Sequence, residues 1–169
     1  MNIVNKAREF AIKAHNAVNQ KYDNQPYEVH LKMVSEFASQ FQYLLKDDDL
    51  EIAQASAWLH DTLEDIYFIS YNDIKKEFGE QIAEAVYALT NEKGRTRKDR
   101  ANAKYYQGIR DIPVARFVKV CDRLANASYS ISNDSSMVNA YRKENEEFNR
   151  ELYCDELKPM FDYLNQILK

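Results

Sequence analysis

The stretch AWLHDTLED, Ala57 to Asp65, sets His60, Asp61, Glu64 and Asp65 at the end of an otherwise apolar segment. Imidazoles and carboxylates are costly to bury together unless a cation or hydrogen bonds compensate. The same groups are suitable ligands for Mn²⁺, Fe²⁺ or Zn²⁺. On a helix, His60 and Glu64 share a face, and so do Asp61 and Asp65, which puts all four in one broad sector. Acids at a helix C-terminus oppose the macrodipole, so Glu64 and Asp65 need a role other than capping. His60 and Asp61 cannot close a metal site alone, and further ligands must come from distant segments. Histidines occur only at positions 15, 30 and 60. His30 stands in PYEVHLKMV on an apolar stripe. Asp122 stands in VKVCDRLAN beside Val118, Val120 and Cys121, where an aspartate needs a metal or basic partner. Asn126, one helical turn on, faces the same way.

The elements that must position these residues read as helices. Ile3, Ala7, Phe10, Ala11 and Ala14 recur at helical spacing. Pro26 suits the first turn of a second helix carrying Val29, Met33, Phe37 and Phe41. A third helix is expected from about Asp48 to Leu63, with Ile52, Ala53, Ala57 and His60 on one stripe. Ser70 with Asp73 marks a helix start and Gly79 a stop or break, followed by a stripe of Ile82, Val86 and Leu89. NEKGRTRKDR, Asn91 to Arg100, reads as a polar loop. Pro113 opens a helix through Val118, Leu124 and Ala127, and NDSS at Asn133 to Ser136 breaks it. Two more helices lie on either side of Cys154. Gly-containing hairpin pairs are absent, so no β-hairpin is expected. The expectation is a single all-α domain, a compact helical bundle spanning residues 1–169.

Composition narrows the function classes. Hydrophobic residues make up 45% and charged residues 30% of the 169, the profile of a soluble globular chain. A formal net charge of −4, with both signs mixed along the chain, argues against a nucleic-acid partner. No apolar run approaches the roughly 20 residues that span a bilayer, and no membrane association is expected. The N-terminus is amphipathic and charged, unlike a signal peptide. Two cysteines, Cys121 and Cys154, with no CxxC spacing suggest reduced thiols and a cytoplasmic location.

The ordered series His30, His60-Asp61 and Asp122 resembles the HD superfamily of metal-dependent phosphohydrolases. The likeness extends to RelA/SpoT-type alarmone hydrolases and their small single-domain relatives. It is carried by AH at Ala14-His15, PYEVH at Pro26 to His30 and LHDTLED at Leu59 to Asp65. FGEQIAEAVYALT at Phe78 to Thr90 and VKVCDRLAN at Val118 to Asn126 continue it in order. The resemblance implies one Mn²⁺, or a related ion such as Fe²⁺ or Zn²⁺, held by His30, His60, Asp61 and Asp122. It implies that Glu64 and Asp65 orient or deprotonate the attacking water. It also implies that Asn126 helps hold the nucleotide sugar or scissile phosphate. The implied reaction removes the 3′-pyrophosphate of guanosine tetra- or pentaphosphate, giving GDP or GTP, without synthetase activity.

Substrate contacts are expected from Lys21, the one basic residue just before PYEVH, from Arg97 and Lys98 in the polar loop with Arg95 and Arg100, and from Tyr141 with Arg142 in a late helix. A lone Lys21, where similar enzymes carry more basic residues, leaves two alternatives. One is hydrolysis of another nucleotide or phosphate ester, such as NADPH or a nucleoside monophosphate. The other is a degenerate nucleotide-binding module. His15 and the remaining aromatic residues are expected to be structural, and a small-molecule nucleotide is the expected partner.

Overall fold

A computed structural model describes residues 2–169, and its elements are almost all helical. Helix α1, Ile3–Ala17, starts at Asn2, whose side chain accepts from the Asn5 amide, and it buries Ala7, Ala11 and Ala14. A two-residue hairpin follows, with β1 (Lys21–Tyr22) antiparallel to β2 (Gln25–Pro26). No hairpin was expected without a glycine pair. Asp23 and Asn24 supply the turn instead, at φ of 48° and 64°. Short polar side chains tolerate this left-handed region better than others do. Pro26 therefore sits in a strand, and α2 begins two residues later, at Glu28–Gln40.

Helix α3, Asp47–Leu59, carries Asp47, Asp48 and Asp49 in its first turn, where they complement the dipole. It stops four residues short of the expected end. The chain turns through His60 and Asp61 (φ −98°, ψ −2°) and starts a new short helix, α4, Thr62–Asp65. The Thr62 hydroxyl donates to the Leu59 carbonyl at 2.6 Å and so satisfies the α3 terminus. Ser70 and Asp73 form the capping box of α5, Tyr71–Phe78, which ends at Gly79 with φ 88°. Helix α6, Glu80–Leu89, follows directly.

The stretch read as a plain loop contains α7, Arg97–Arg100, nucleated by a Thr96–Asp99 capping box. Helix α8, Ala103–Asp111, has Asn102 as its cap. Pro113 opens α9, Pro113–Ser132, as its spacing predicts. Helices α10, Met137–Leu152, and α11, Lys158–Ile167, flank Cys154.

Helix α9 is the axis of the fold. It packs against α2, α3, α6, α8, α10 and α11. Phe117, Leu124, Phe148 and Phe161 lie in the larger apolar cluster around it. A second cluster gathers Leu31, Leu59, Ile74 and Val86. Burying each such side chain stabilises the fold by about 1.5–3 kcal/mol. Both clusters draw residues from α2 and α3, so the polar residues where α2, α3 and α9 meet are set in a packed frame. No helix among the described residues is long and apolar enough to cross a membrane. Both cysteines are free thiols, with Cys121 buried.

Candidate metal centre

Three elements each deliver donors to one point. Helix α2 presents His30, the turn between α3 and α4 presents His60 and Asp61, and α9 presents Asp122. The two imidazole Nε2 atoms lie 3.2 Å apart. Asp122 Oδ1 is 3.2 Å from His30 Nε2 and 3.7 Å from His60 Nε2. One ligand atom each from His30, His60 and Asp122 falls within 4.8 Å of the others. Asp61 Oδ2 joins them at 2.9 Å from His60 Nε2 and 3.5 Å from His30 Nε2.

The surroundings set which lone pairs face this point. His60 Nδ1 lies 2.9 Å from the Ala57 carbonyl, which only accepts, so Nδ1 carries a proton and Nε2 is the nitrogen turned to the centre. The Tyr27 hydroxyl donates to Asp61 Oδ2 at 2.6 Å. Lys119 Nζ binds Asp122 Oδ2 at 2.8 Å, and the Asn126 amide donates to Oδ1 at 2.7 Å. Asn126 Oδ1 in turn accepts from the Tyr22 hydroxyl at 2.9 Å, and the Tyr22 ring stacks on His30 at 4.9 Å. His30 Nδ1 is buried and has no partner among the described residues.

Electrostatics follow from these contacts. Burial alone would raise the Asp61 and Asp122 carboxyls, but His60 and His30 hold Asp61, and Lys119 and His30 hold Asp122, well below the usual carboxylate range. Burial opposes charge on His30 as well, yet the bonds to Asp122 and Asp61 push it up to about 9. The acids draw positive charge into the centre. Two imidazole nitrogens and two carboxylate oxygens form a donor set that fits a divalent transition ion.

Glu64 and Asp65 stand at the rim. They occupy the single turn of α4, with Asp65 as its last residue, rather than the end of a long helix, because α3 ends at Leu59. The Asp65 N–H still donates to the Asp61 carbonyl at 3.0 Å, so that pair keeps its helical relation. His60 points to the centre, whereas Glu64 accepts from the Asn91 amide at 2.9 Å and the Asn91 backbone N–H at 3.2 Å. Asp65 Oδ2 accepts from Gln20 Nε2 at 2.7 Å. Partial burial, then the nearby Asp61 carboxylate, raises the Asp65 carboxyl to about 6.

The centre opens into a cleft of about 320 Å³. His30, Asp61, Asp122, Glu64, Lys119 and Asn126 line its floor, Arg97, Lys98, Arg100, Arg123 and Tyr141 line the wall together with Glu144 and Glu147, and Asp65 lies just outside the lining. Glu144 takes Arg97 bidentately at 2.7 and 3.1 Å and Arg123 at 2.9 Å. Arg123 also lies over the rings of Tyr141 and Phe148. Arg95 is exposed and outside the lining, and Arg142 is turned away to the Leu168 carbonyl at 3.1 Å. Lys21 is exposed on β1 and outside the lining, while its neighbours Gln20 and Tyr22 face the centre. Alternation along a strand explains the difference for Tyr22, and the unexpected hairpin is what brings this segment in. Gln20, Tyr22, Tyr27, Lys119 and Glu144 went unmarked by spacing alone, and Arg123, the neighbouring base that could have paired with Asp122, pairs with Glu144 instead. Only Lys119 carried a local signal, as a base three residues before a buried acid.

The HD domain family matches residues 7–148, and the chain belongs to it. The fold is similar to that of a solved metazoan ortholog of SpoT that hydrolyzes ppGpp and plays a role in starvation responses. The TM-score is 0.75 at 19% identity, over 98% of this chain and 95% of that one. No curated protein matches the chain in sequence.

Proposed function

We propose that the protein is a divalent-metal-dependent phosphohydrolase that removes the 3′-pyrophosphate of guanosine tetra- or pentaphosphate, leaving GDP or GTP. The observation that carries this reading is the convergence of His30, His60 and Asp122, with Asp61 against both imidazoles, beside a cleft lined also by Arg97, Lys98, Arg100 and Arg123. Membership in the HD family and the likeness to the ppGpp-hydrolyzing SpoT ortholog support it.

His30, His60, Asp61 and Asp122 would hold the ion, with Mn²⁺ the first candidate. A divalent cation in such a site supplies Lewis-acid polarisation of a phosphoryl oxygen and a better nucleophile from water at neutral pH. Tyr27, Lys119 and Asn126 keep the carboxylates aimed and ionised. Asp65 accepts the proton of the attacking water, for which a carboxyl near 6 is well matched. Glu64, pinned by Asn91, shapes the water's approach. Arg97 and Lys98 neutralise phosphate charge on the far side, and Tyr141 offers a ring surface. Asn126 lies at the edge of the scissile group.

The test is direct. Protein purified and loaded with Mn²⁺ should release pyrophosphate from guanosine tetraphosphate. His60→Ala should abolish release, because several kcal/mol of metal-derived stabilisation corresponds to about 10³-fold or more. Equal release by the metal-stripped or variant protein would reject the reading. The exposed position of Lys21 favours a second reading, another nucleotide such as NADPH or a nucleoside monophosphate. Preference for one of these in a substrate panel would replace the alarmone while keeping the reaction class.

A further inference from the structure

Behind Asp65 runs a chain of side chains that this mechanism does not use. Gln20 Nε2 donates to Asp65 Oδ2 at 2.7 Å, and Gln20 Oε1 lies 2.6 Å from His15 Nδ1. His15 is 1% exposed, and its ring stacks on Tyr27 with centroids 4.6 Å apart and planes 24° from parallel. Tyr27 is the residue whose hydroxyl holds Asp61. The backbone fixes Gln20 as well: its N–H donates to the His15 carbonyl at 3.1 Å, across a turn with Asn19 at φ 52°.

An amide has one donating end and one accepting end. The Asp65 carboxylate only accepts, so the Gln20 NH₂ must face it and the Gln20 carbonyl must face His15. His15 must then present Nδ1–H, since the other neutral tautomer would set two acceptors against each other at 2.6 Å. His15 Nε2, buried and without a partner among the described residues, is left with the lone pair. Burial holds the His15 ring below its ordinary pKa, which favours the neutral form. The hydrogen bonds therefore run in one direction, from a buried imidazole to the rim carboxylate.

We infer that His15 and Gln20 are positioning residues for Asp65: His15 Nδ1–H orients the Gln20 amide, and that amide aims the carboxylate, leaving Oδ1 to receive the water proton. The inference deepens the proposed reaction and rests on it for the role of Asp65, but it does not depend on which phosphate ester is cleaved. A packing role for His15 would need only its stack on Tyr27 and would be indifferent to tautomer.

Two measurements test it. The first needs no substrate: ¹⁵N NMR of the His15 ring in metal-free protein at neutral pH. A neutral ring protonated at Nδ1 is expected, with Nε2–H gaining population in Gln20→Leu. A neutral ring protonated at Nε2 in the unmodified protein overturns the inference. The second is a double-mutant cycle, run on whichever ester of the substrate panel the protein hydrolyses. Gln20→Leu and His15→Asn should each lower kcat about 10- to 100-fold at little change in KM, in line with other supporting-shell losses. Because His15 acts through Gln20, His15→Asn should add almost nothing in the Gln20→Leu background. Additive losses would make His15 merely structural and overturn the inference. Failure on guanosine tetraphosphate with the expected tautomer and cycle on another ester would reject the substrate and leave the positioning chain standing.

Discussion

The two charged walls of the cleft are built differently. On the floor, His30 and Asp122 come from core helices and His60 from the turn that ends α3; hydrogen bonds hold His60 and Asp122, and the Tyr22 ring stacks on His30. Across the cleft, Arg97 and Lys98 sit on a four-residue helix in an exposed segment, and the Arg97 side chain is 50% exposed even with Glu144 attached. Charges in a packed, dry frame keep their geometry and act strongly at short range. Charges at the surface are screened and adaptable. The contrast assigns the floor to chemistry and the wall to affinity. Substitutions on the floor should therefore change kcat and metal retention, and substitutions on the wall should change KM and its salt dependence.

Asp65, at the floor's rim, gives the largest expected effect after loss of a metal ligand. Asp65→Asn should lower kcat by about 10²–10⁴-fold, the range for removing a general base, with metal content unchanged. Its pH profile sharpens the assignment. The working form is the ionised carboxylate, so the unmodified protein should lose kcat/KM as pH falls through about 6. In Asp65→Asn the residual activity should no longer show that acid limb. An unchanged limb near 6 in the variant would reject Asp65 as the base.

Tyr27→Phe removes a single oxygen from the floor and keeps the ring that stacks on His15. Without the hydroxyl, Asp61 Oδ2 loses a hydrogen bond of 2.6 Å. Mn²⁺ affinity, read by titration with electron paramagnetic resonance, should fall about 10- to 100-fold, as expected for a supporting partner of a ligand. Unfolding free energy should fall by about 1.5–3 kcal/mol, as for a hydrogen bond to a charged group. Undiminished affinity would mean that the frame alone holds Asp61, and the floor would be more rigid than its hydrogen bonds suggest.

How far the sequence predicted this arrangement also divides along the two walls. The series His30, His60-Asp61 and Asp122 stood out because ionisable groups on apolar stripes are rare and costly, and because their order resembles the HD family. Helix starts with explicit chemistry, Ser70 with Asp73 and Pro113, were legible for the same reason. The break after Leu59 was not: apolar residues continue at helical spacing through Leu63, and only the Thr62 hydroxyl closing on Leu59 marks the stop. The hairpin was hidden because Asp23 and Asn24 do the work usually given to glycine. With it went Tyr22, whose inward placement depends on strand alternation, and Gln20, which is fixed by the turn at Asn19 and the bond of its N–H to the His15 carbonyl. Helix α7 was masked by its polarity, since the capping box at Thr96 and Asp99 lies inside a run of charges. Glu144 is surrounded by other polar residues on α10, and its clasp on Arg97 and Arg123 is purely tertiary.

The wall offers the smallest effect and the cleanest contrast with the floor. Arg97→Ala should raise KM about tenfold, the equivalent of one charge-assisted contact to phosphate, while kcat stays within about twofold. Unfolding free energy should shift by no more than about 0.5–1 kcal/mol, because the bond to Glu144 is an exposed pair. The KM increase should shrink as salt rises, since added ions screen the same attraction in the unmodified protein. Arg123 shows why position on the wall matters. It is buried against Tyr141 and Phe148, so Arg123→Ala would remove packing along with charge and leave Glu144 with a single partner. A fall in kcat with unchanged KM for Arg97→Ala would place Arg97 among the groups that stabilise the reacting phosphate, and the division between floor and wall would fail at that residue.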